Sequence, residues 1–228
     1  MSSSTGRTIP GPLVISRGNW RRRSGGDVTE FFLPRDFHEY CVGCMQCILK
    51  DEKRCPHYEK LRPLTEAMDA ADVIILASPV YVYHVTGAMK TFLDHYGYRW
   101  LIHRPVASMF GKQGVCISTS AAAGQKSACR NMADSLFFWG VGKTERFGMP
   151  VFAHNWAGVS DKRKRVIDRK TGRMAKRIRR RFGHVKPSLK TRLYFRFVRM
   201  LQKKGLSEAD RSYWTEMGWL GKKNPWKN

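Results

Sequence analysis

The pattern of hydrophobic and polar positions alternates between short continuous apolar runs and longer segments with helical spacing. Residues 73–77 and 114–118 are unbroken apolar or small runs, which are typical of strands buried on both faces of a parallel sheet. The remaining predicted elements are short strands over 27–34 and 146–152 and helices over 58–71, 87–100 and 125–139. Strands and helices that alternate through short loops predict an α/β fold with a doubly wound parallel sheet.

The C-terminal part of the chain has a different pattern, because residues 160–204 show helical spacing throughout. Its apolar stripes consist of Ile167, Met174, Ile178 and Phe182, followed by Leu193, Phe197, Val198 and Leu201. The pattern predicts three parts: a basic Gly/Ser/Arg-rich segment over 1–27, the sheet domain over 28–156, and a basic helical extension over 157–228.

Charge adds a second feature, because the 228 residues carry a formal net charge of +24. Between Lys162 and Arg181 there are twelve Lys or Arg and one acid, Asp168. Such a block attracts polyanions, and nucleic acid is one candidate partner. No recognisable nucleic-acid-reading motif accompanies the block. We therefore favour a solvated helical face, or a surface that recruits anionic partners, over nucleic-acid binding. The sparse apolar stripe also makes an anionic membrane a less favoured partner for this block.

The length of the apolar runs and the first residues of the chain bear on localisation. None of them approaches the length of about 20 residues that a membrane span requires, and Met1 to Arg7 lack the apolar stretch of a secretory signal. We expect a cytoplasmic protein without a membrane span.

The segments that follow the two buried strands carry the strongest candidate for a ligand site. They are Ser78-Pro79-Val80-Tyr81-Val82-Tyr83 and Thr119-Ser120-Ala121 through Gly124. Ligands of open α/β sheets bind outside the carboxyl ends of the strands. Small residues let backbone N–H groups approach a flat ring, and the tyrosines can stack on it. The alternative is a pair of ordinary turns with tyrosines packed at the domain edge.

Six cysteines occur, and four of them lie within fifteen residues as Cys41-x2-Cys44-x2-Cys47-x7-Cys55, followed by Pro56. Clustered thiols in a chain without a secretion signal indicate metal binding or catalysis rather than disulfides. Thiolates in one compact loop suit a cubane iron–sulfur cluster, and four thiolates also suit tetrahedral zinc. Reduced thiols without metal are the third alternative. Cys116 and Cys129 lie in a predicted strand and helix, so we expect them in the core.

These segments also carry a family resemblance. The sequence Ala71-Asp-Val-Ile-Ile-Leu-Ala-Ser-Pro-Val-Tyr81, the residues over 87–94, the strand start at Gly111 and the tail over 213–220 resemble the FMN-reductase branch of the flavodoxin-like superfamily. The resemblance implies a flavodoxin-like fold that binds FMN, with Ser78 to Tyr83 along one edge of the isoalloxazine and Thr119 to Gly124 along another. It also implies an enzyme with NAD(P)H as electron donor, an unknown electron acceptor, and a homo-oligomer.

The cysteine spacing is similar to that of iron–sulfur flavoproteins in the same superfamily, which implies a [4Fe–4S] cluster that exchanges electrons with the flavin. The start of the chain departs from the family pattern. The family's first strand leads into a phosphate-binding loop and a long helix, whereas Leu13-Val-Ile-Ser16 here leads into the short Arg/Gly segment 17–26. Arg17, Arg21, Arg22 and Arg23 are candidate phosphate contacts. A non-enzymatic flavodoxin-like scaffold that binds nucleic acid or an anionic partner through its basic helix is the alternative function.

Overall fold

The computed structural model describes residues 27–153, 155–205 and 207–226, and these residues are built around a parallel sheet of three strands. The strands are β1 (Val73–Pro79), β2 (Gln113–Ser120) and β3 (Lys143–Pro150), in the order β1-β2-β3. The helices are α1 (Gln46–Leu49), α2 (Tyr58–Ala70), α3 (Gly87–Asp94), α4 (Gln125–Phe138), α5 (Asp161–Arg181), α6 (Leu189–Lys203) and α7 (Glu208–Glu216). Residues 1–26, with the apolar segment 13–16 and the candidate phosphate-binding arginines, lie outside the described residues.

Both faces of the sheet are covered, as the unbroken apolar runs predicted. Ile74, Leu76 and Cys116 point to one face and pack with residues of α2, α3 and α4. Ile75 and Val115 point to the other face, where they pack with α5. Strand side chains alternate between faces with a period of two, so an apolar residue at every position requires helices on both sides. The α/β class with a doubly wound parallel sheet is confirmed.

The predicted strand over 27–34 was wrong, because these residues are not in a strand. The backbone N–H of Phe32 donates to Asp36 Oδ2 at 2.5 Å, and the Asp36 N–H donates to the Phe32 carbonyl at 2.8 Å. These bonds close a turn, so the Phe32 groups are not available for a ladder with a neighbouring strand.

The C-terminal helical region consists of separate helices rather than one. Residues 182–188 interrupt it. Gly183, the second residue after α5, has φ +72°, a conformation that glycine adopts without strain. The Ser188 hydroxyl then accepts from the Thr191 N–H at 3.1 Å and caps α6. The predicted stripe of α5 packs on the sheet through Met174 and Ile178.

Three side chains of the predicted C-terminal stripes are not in the core. Phe182 follows the last residue of α5 and is exposed, and Leu193 and Phe197 of α6 are also exposed. The buried face of α6 consists of Thr191, Phe195, Val198 and Gln202. Helical spacing finds an apolar face but does not tell which of two such faces a helix turns inward.

Candidate functional site

The loops that follow the strands are connected to one another at the carboxyl edge of the sheet. The Val80 N–H donates to the Thr119 carbonyl at 2.9 Å, which extends the β1–β2 pairing past the end of β1. The Val151 N–H donates to the Ser120 carbonyl at 2.8 Å, and the Phe152 N–H donates to that of Ala121 at 3.1 Å. The three loops are therefore held side by side, as a rim along one edge.

The first loop forms a tight turn that presents its tyrosines to solvent. The backbone groups of Tyr81 and His84 exchange two hydrogen bonds of 3.0 and 3.1 Å. The central residues Val82 and Tyr83 have φ values of 46° and 66°. Positive φ at both centres is the pattern of a type I′ turn, and for a β-branched residue such as valine it is strained. Tyr81 and Tyr83 remain 54% and 67% exposed, so both rings are accessible to a ligand.

Gly124 is where the first two loops touch. It has φ +90°, and a Cβ at this position would lie 2.6 Å from Val80 Cγ1 and 2.9 Å from the Tyr83 Cα. No larger residue fits there unless the loops separate. This contact brings the loop after β2 against the turn after β1.

Hydroxyl groups supply the polar side of this edge. The Ser78 hydroxyl accepts from the Thr86 N–H at 3.1 Å and donates to the Pro79 carbonyl at 2.9 Å. Its register partner Ser118 has a buried Oγ without a hydrogen-bond partner among the described residues. The Ser120 hydroxyl donates to Gln125 Oε1 at 3.0 Å. Exposed aromatic rings and a close glycine contact fit the edge of a flat heteroaromatic ring such as isoalloxazine, whereas the three serine side chains are buried.

The strands extend past their predicted ends, so Ser78, Pro79, Thr119 and Ser120 are the last residues of β1 and β2 rather than loop residues. The other predicted residues lie in the segments that follow these strands: Val80, Tyr81, Tyr83, Ala121 and Gly124. Their contact with a cofactor stays a prediction. The sequence interpretation missed the third loop, where Phe152 and Trp156 are exposed. The Arg163 guanidinium lies 4.5 Å from the Phe152 ring centroid, and Lys164 Nζ lies 5.8 Å from that of Trp156. Aromatic residues directly after the third strand were the signal that could have identified this loop.

The four clustered cysteines come together in a short segment before α2. Cys41 and Cys44 are exposed, whereas Cys47 and Cys55 are half-buried. Burial, followed by the charges of Cys55, Cys41 and Cys44, raises the pKa of Cys47 to about 11. Four thiols in one short segment are the kind of donor set that a [4Fe–4S] cluster or tetrahedral zinc requires, whereas the ligand atoms found close together in the described residues are those of Cys55, His57 and His95.

A buried ion pair fixes one side of this cysteine segment. Arg104 Nη1 donates to the Ile48 carbonyl at 2.9 Å, and Arg104 Nη2 donates to the Cys47 carbonyl. The same guanidinium binds Asp210 Oδ1 of α7 at 2.7 Å, and Asp210 Oδ2 is 2.8 Å from His103 Nδ1. The carbonyls that α1 leaves without helical partners are therefore bound by an arginine that the C-terminal helix holds in place.

Two histidines lie beside Cys55. Its sulfur and one ring nitrogen each of His57 and His95 lie within 4.8 Å of one another. His95 Nδ1 is 2.8 Å from the Thr91 carbonyl, and His95 Nε2 is 2.9 Å from His57 Nδ1. The carbonyl can only accept, so His95 Nδ1 carries the proton and Nε2 accepts from His57. Burial lowers the pKa of His95. A metal ion bound to all three side chains would have to break the His57–His95 hydrogen bond.

Helix α3 separates the cysteine segment from the rim of loops. Thr86, which caps α3, is bonded to Ser78 at the rim, and His95 at the other end of the helix contacts His57. At 1.5 Å per residue, the eight residues of α3 span about 12 Å. The candidate metal and ring sites are thus distinct.

The two remaining cysteines lie in the core, as expected. Cys116 and Cys129 are buried within the cluster that α2, α3 and α4 form on the sheet. Burial raises the pKa of the Cys129 thiol to about 11. Its Sγ–H donates to the Phe147 carbonyl at 3.5 Å.

Comparisons with known proteins find relatives in sequence and in fold. The chain is 34% identical over 122 residues to an iron–sulfur flavoprotein of Archaeoglobus fulgidus, covering 52% of this chain and 51% of that protein. It is 30% identical over 118 residues to an iron–sulfur flavoprotein of Methanocaldococcus jannaschii, covering 51% and 58%. The chain thus spans little more than half the length of these curated relatives.

A solved structure of a flavone reductase superimposes with a TM-score of 0.50 at 15% identity, covering 74% of this chain and 58% of that one, and it supports the flavodoxin-like fold. Residues 21–162, more than half of the chain, match the family model for NADPH-dependent FMN reductases. The chain therefore belongs to the NADPH-dependent FMN reductase family.

Proposed function

We propose that this protein is an FMN-dependent NAD(P)H oxidoreductase. The observation that carries the proposal is the rim of three loops at the carboxyl edge of the sheet, with exposed aromatic rings around the Gly124 contact. Open α/β sheets bind their ligands at this edge, and the family to which the chain belongs is named for FMN.

Bound FMN would supply the redox chemistry, accepting reducing equivalents from a nicotinamide and passing them to an acceptor. The chain's own residues bind and orient it. Tyr81 and Tyr83 would stack on or flank the ring system, and the backbone around Gly124 permits the close approach of a flat ring.

The third loop favours NADPH as the donor. Arg163 and Lys164 lie over the exposed rings of Phe152 and Trp156, which places positive charge and stacking surfaces beside the rim. Guanidinium groups bind phosphate through paired hydrogen bonds. We expect Arg163→Gln to raise the KM for NADPH at least about tenfold more than the KM for NADH, which corresponds to one lost charge-assisted bond of about 1.5 kcal/mol. Arg165→Gln removes an exposed charge one position from Lys164 and serves as the control.

The activity is tested by measuring NADPH oxidation with and without added FMN, together with the FMN dissociation constant. Tyr81→Ala should weaken FMN binding about tenfold, since an aromatic stacking contact contributes roughly 1–1.5 kcal/mol. Tyr40→Ala removes an exposed tyrosine that precedes the cysteine segment and should leave FMN affinity unchanged. Unaltered affinity in Tyr81→Ala would place the ring elsewhere, and the absence of NADPH oxidation with FMN present would reject the enzyme.

We further propose that Cys41, Cys44, Cys47 and Cys55 hold a [4Fe–4S] cluster, which would supply one-electron transfer when present. The support is the compact thiol set and the names of the two curated relatives. Zinc is the competing metal, and iron, sulfide and zinc analysis of protein purified without oxygen separates them. Cys44→Ser should lose most of the iron while the thermal unfolding midpoint of the domain is retained. Cys129→Ala removes a core thiol and should keep the iron. Iron content that Cys44→Ser leaves unchanged would reject the assignment.

The assembly and location belong to the same proposal. Among the described residues, no helix is long and apolar enough to cross a bilayer. We propose a cytoplasmic homo-oligomer, because the clustered thiols must stay reduced to bind metal and because the family resemblance implies association. Sedimentation equilibrium of the full chain measures the oligomeric state, and a monomer at micromolar concentration would reject it.

A further inference from the structure

Helix α6 has two apolar faces on opposite sides. Its core-facing side chains are Thr191, Phe195, Val198 and Gln202. Its outward apolar side chains are Leu189, Leu193, Phe197 and Met200. With 100° between successive residues, the centres of the two sets lie about half a turn apart. The outward set, which we call the α6 stripe, is thus as far from the core as the helix allows.

The α6 stripe is exposed over its whole length. Its side chains have exposed fractions of 62%, 52%, 50% and 47% from Leu189 to Met200. The stripe extends about 16 Å along the helix axis. A surface helix normally turns polar residues outward, so a continuous outward row of large apolar side chains indicates an interaction surface.

Positive charge borders the α6 stripe. Arg192 and Arg196 are exposed along one side of the helix, and Lys190 lies on the other side. Helix α6 contains no acidic residue, and residues 169–207 contain fifteen Lys or Arg and no Asp or Glu. A partner that binds here therefore meets a cationic surface around an apolar row.

An open pocket lies at the first turn of α6. Its volume is about 330 Å³, and its lining includes Lys143, Arg181, Lys186, Arg192 and Leu189. Only Arg181 of these cations has a carboxylate partner in the described structure, Glu145 at 2.8 Å. Leu189 belongs both to the pocket and to the α6 stripe, so a cationic cavity opens directly onto the apolar row.

We propose that the α6 stripe and the adjoining pocket bind the surface of an anionic phospholipid membrane. The apolar row would enter the boundary between headgroups and acyl chains, and the pocket would receive a lipid phosphate. A helix with apolar residues flanked by Lys and Arg binds anionic bilayers by burying apolar area and by electrostatic attraction. This surface needs no membrane span, and it is separate from the cofactor sites.

The charge distribution disfavours the other occupants. A second copy docked through the same face in a two-fold arrangement would bring two Arg192–Arg196 rows together, at the cost of like-charge repulsion. Nucleic acid would be attracted by the charges, but its phosphates gain nothing from Leu189, Leu193 or Met200. An anionic bilayer is the partner that uses both the apolar and the cationic part of the surface.

The test is co-sedimentation of the full-length protein with vesicles of phosphatidylcholine alone and with about 30% phosphatidylglycerol added, at about 0.1 M salt. The stripe variant is Leu193→Gln with Phe197→Gln, and the charge variant is Arg192→Gln with Arg196→Gln. The control, Arg62→Gln with Arg130→Gln, removes two exposed charges on α2 and α4. All substituted side chains are exposed, so thermal midpoints should stay within a few degrees of the wild type.

We expect binding to anionic vesicles only. The partition coefficient should fall at least about tenfold in the charge variant, because each cation near an anionic surface contributes about fivefold. It should also fall at least about tenfold in the stripe variant, because two large apolar side chains no longer enter the bilayer. The partition coefficient of the control should stay within about twofold of the wild-type value. Vesicle binding that the stripe variant retains would overturn the proposal.

Two other outcomes would also reject the membrane proposal. In the first, the wild type is a dimer without lipid and the stripe variant is a monomer, which would assign the face to a second copy. The second is binding to an oligonucleotide but not to vesicles, which would assign the charges to nucleic acid.

Discussion

At the scale of single residues, Gly124 links the two loops of the proposed flavin edge. Its φ of +90° lies in a region that other residues enter only with strain. The two atoms that a side chain at this position would meet first, Val80 Cγ1 and the Tyr83 Cα, both belong to the loop after β1. The position of the tyrosine turn therefore depends on the absence of a side chain at residue 124.

Gly124→Ala should lower the free energy of unfolding by about 1–3 kcal/mol and weaken FMN binding, because the added methyl group separates the loops. Urea denaturation and FMN titration measure the two effects. Gly183→Ala is the matched control, since Gly183 also has positive φ (+72°) but no atom within 4 Å of where a Cβ would lie. It should show the strain cost without a change in FMN affinity. Equal FMN affinities of Gly124→Ala and the wild type would refute the role of this contact.

The location of the loop residues was predictable, whereas their conformation was not. Ser78 and Thr119 directly follow apolar runs, and the carboxyl ends of parallel strands meet at one edge. The turn at Val82 and Tyr83 carries no Gly or Asn, so no turn-forming residue in the sequence marks its positive φ values. Phe152 was interpreted as a strand residue, but β3 ends at Pro150, and Phe152 lies in a loop.

At the scale of elements, the C-terminal helix α7 holds the cysteine segment through Asp210. This carboxylate is buried and binds Arg104, which in turn binds the carbonyls of Cys47 and Ile48. Trp214 of the same helix donates from Nε1 to the His103 carbonyl at 2.6 Å. No local sequence pattern predicts this link, because about a hundred residues separate its partners.

Asp210→Asn should therefore destabilise the fold by roughly 3 kcal/mol, since it leaves the buried Arg104 charge without its carboxylate. The loss should appear first in residues 41–55, as faster amide hydrogen exchange. Glu208→Gln removes an exposed carboxylate from the same helix and should change neither quantity. If exchange in 41–55 stays at the wild-type rate in Asp210→Asn, α7 does not hold the segment.

Glu145 joins β3 to α5. Its carboxylate accepts from Arg177 at 2.6 and 2.9 Å and from Arg181 at 2.8 Å. The hydrogen bond from Arg177 is the main cause that lowers the pKa of Glu145, against a smaller opposing effect of burial. A carboxyl whose pKa is lower in the folded state stabilises the fold above its unfolded pKa, near 4.3, and that stability is lost as the pH falls through the folded value.

Glu145→Gln should consequently lower the free energy of unfolding by about 1 kcal/mol at pH 7, a modest value because the arginines are partly exposed. The difference from the wild type should shrink as the pH falls below 4. Chemical denaturation at pH 7 and at a pH below 4 checks this. The control is Glu66→Gln, which removes an exposed carboxylate on α2. A difference that does not depend on pH would show that the pair does not stabilise the fold through charge.

The helices of the sheet domain were predicted within a few residues, except that α3 ends at Asp94 rather than near residue 100. Their apolar spacing matches the faces that pack on the sheet. The C-terminal helices were less predictable, because α6 has apolar residues on both sides. Phe195 and Val198 are buried against the aromatic side chains of Trp214 and Trp219, and only these distant partners decide which side faces the core.

At the scale of the whole molecule, the proposed cofactor sites and the cationic pocket occupy different regions. The flavin edge lies at the carboxyl ends of the strands, the cysteine segment lies at the far end of α3, and the cationic pocket lies where Lys143 begins β3. Parallel strands put their amino and carboxyl ends at opposite edges of the sheet. The cationic pocket and the flavin edge therefore lie at opposite edges, and substitutions in one should leave the other unaffected.

The most direct test of the proposed oxidoreductase is the ultraviolet–visible spectrum of protein purified without oxygen, recorded before and after the addition of FMN. Our account predicts paired flavin bands above a broad shoulder from thiolate-to-iron charge transfer, with the flavin bands bleached by NADPH. A featureless spectrum that FMN does not change would contradict it, because the loops at the carboxyl edge would then not bind the flavin.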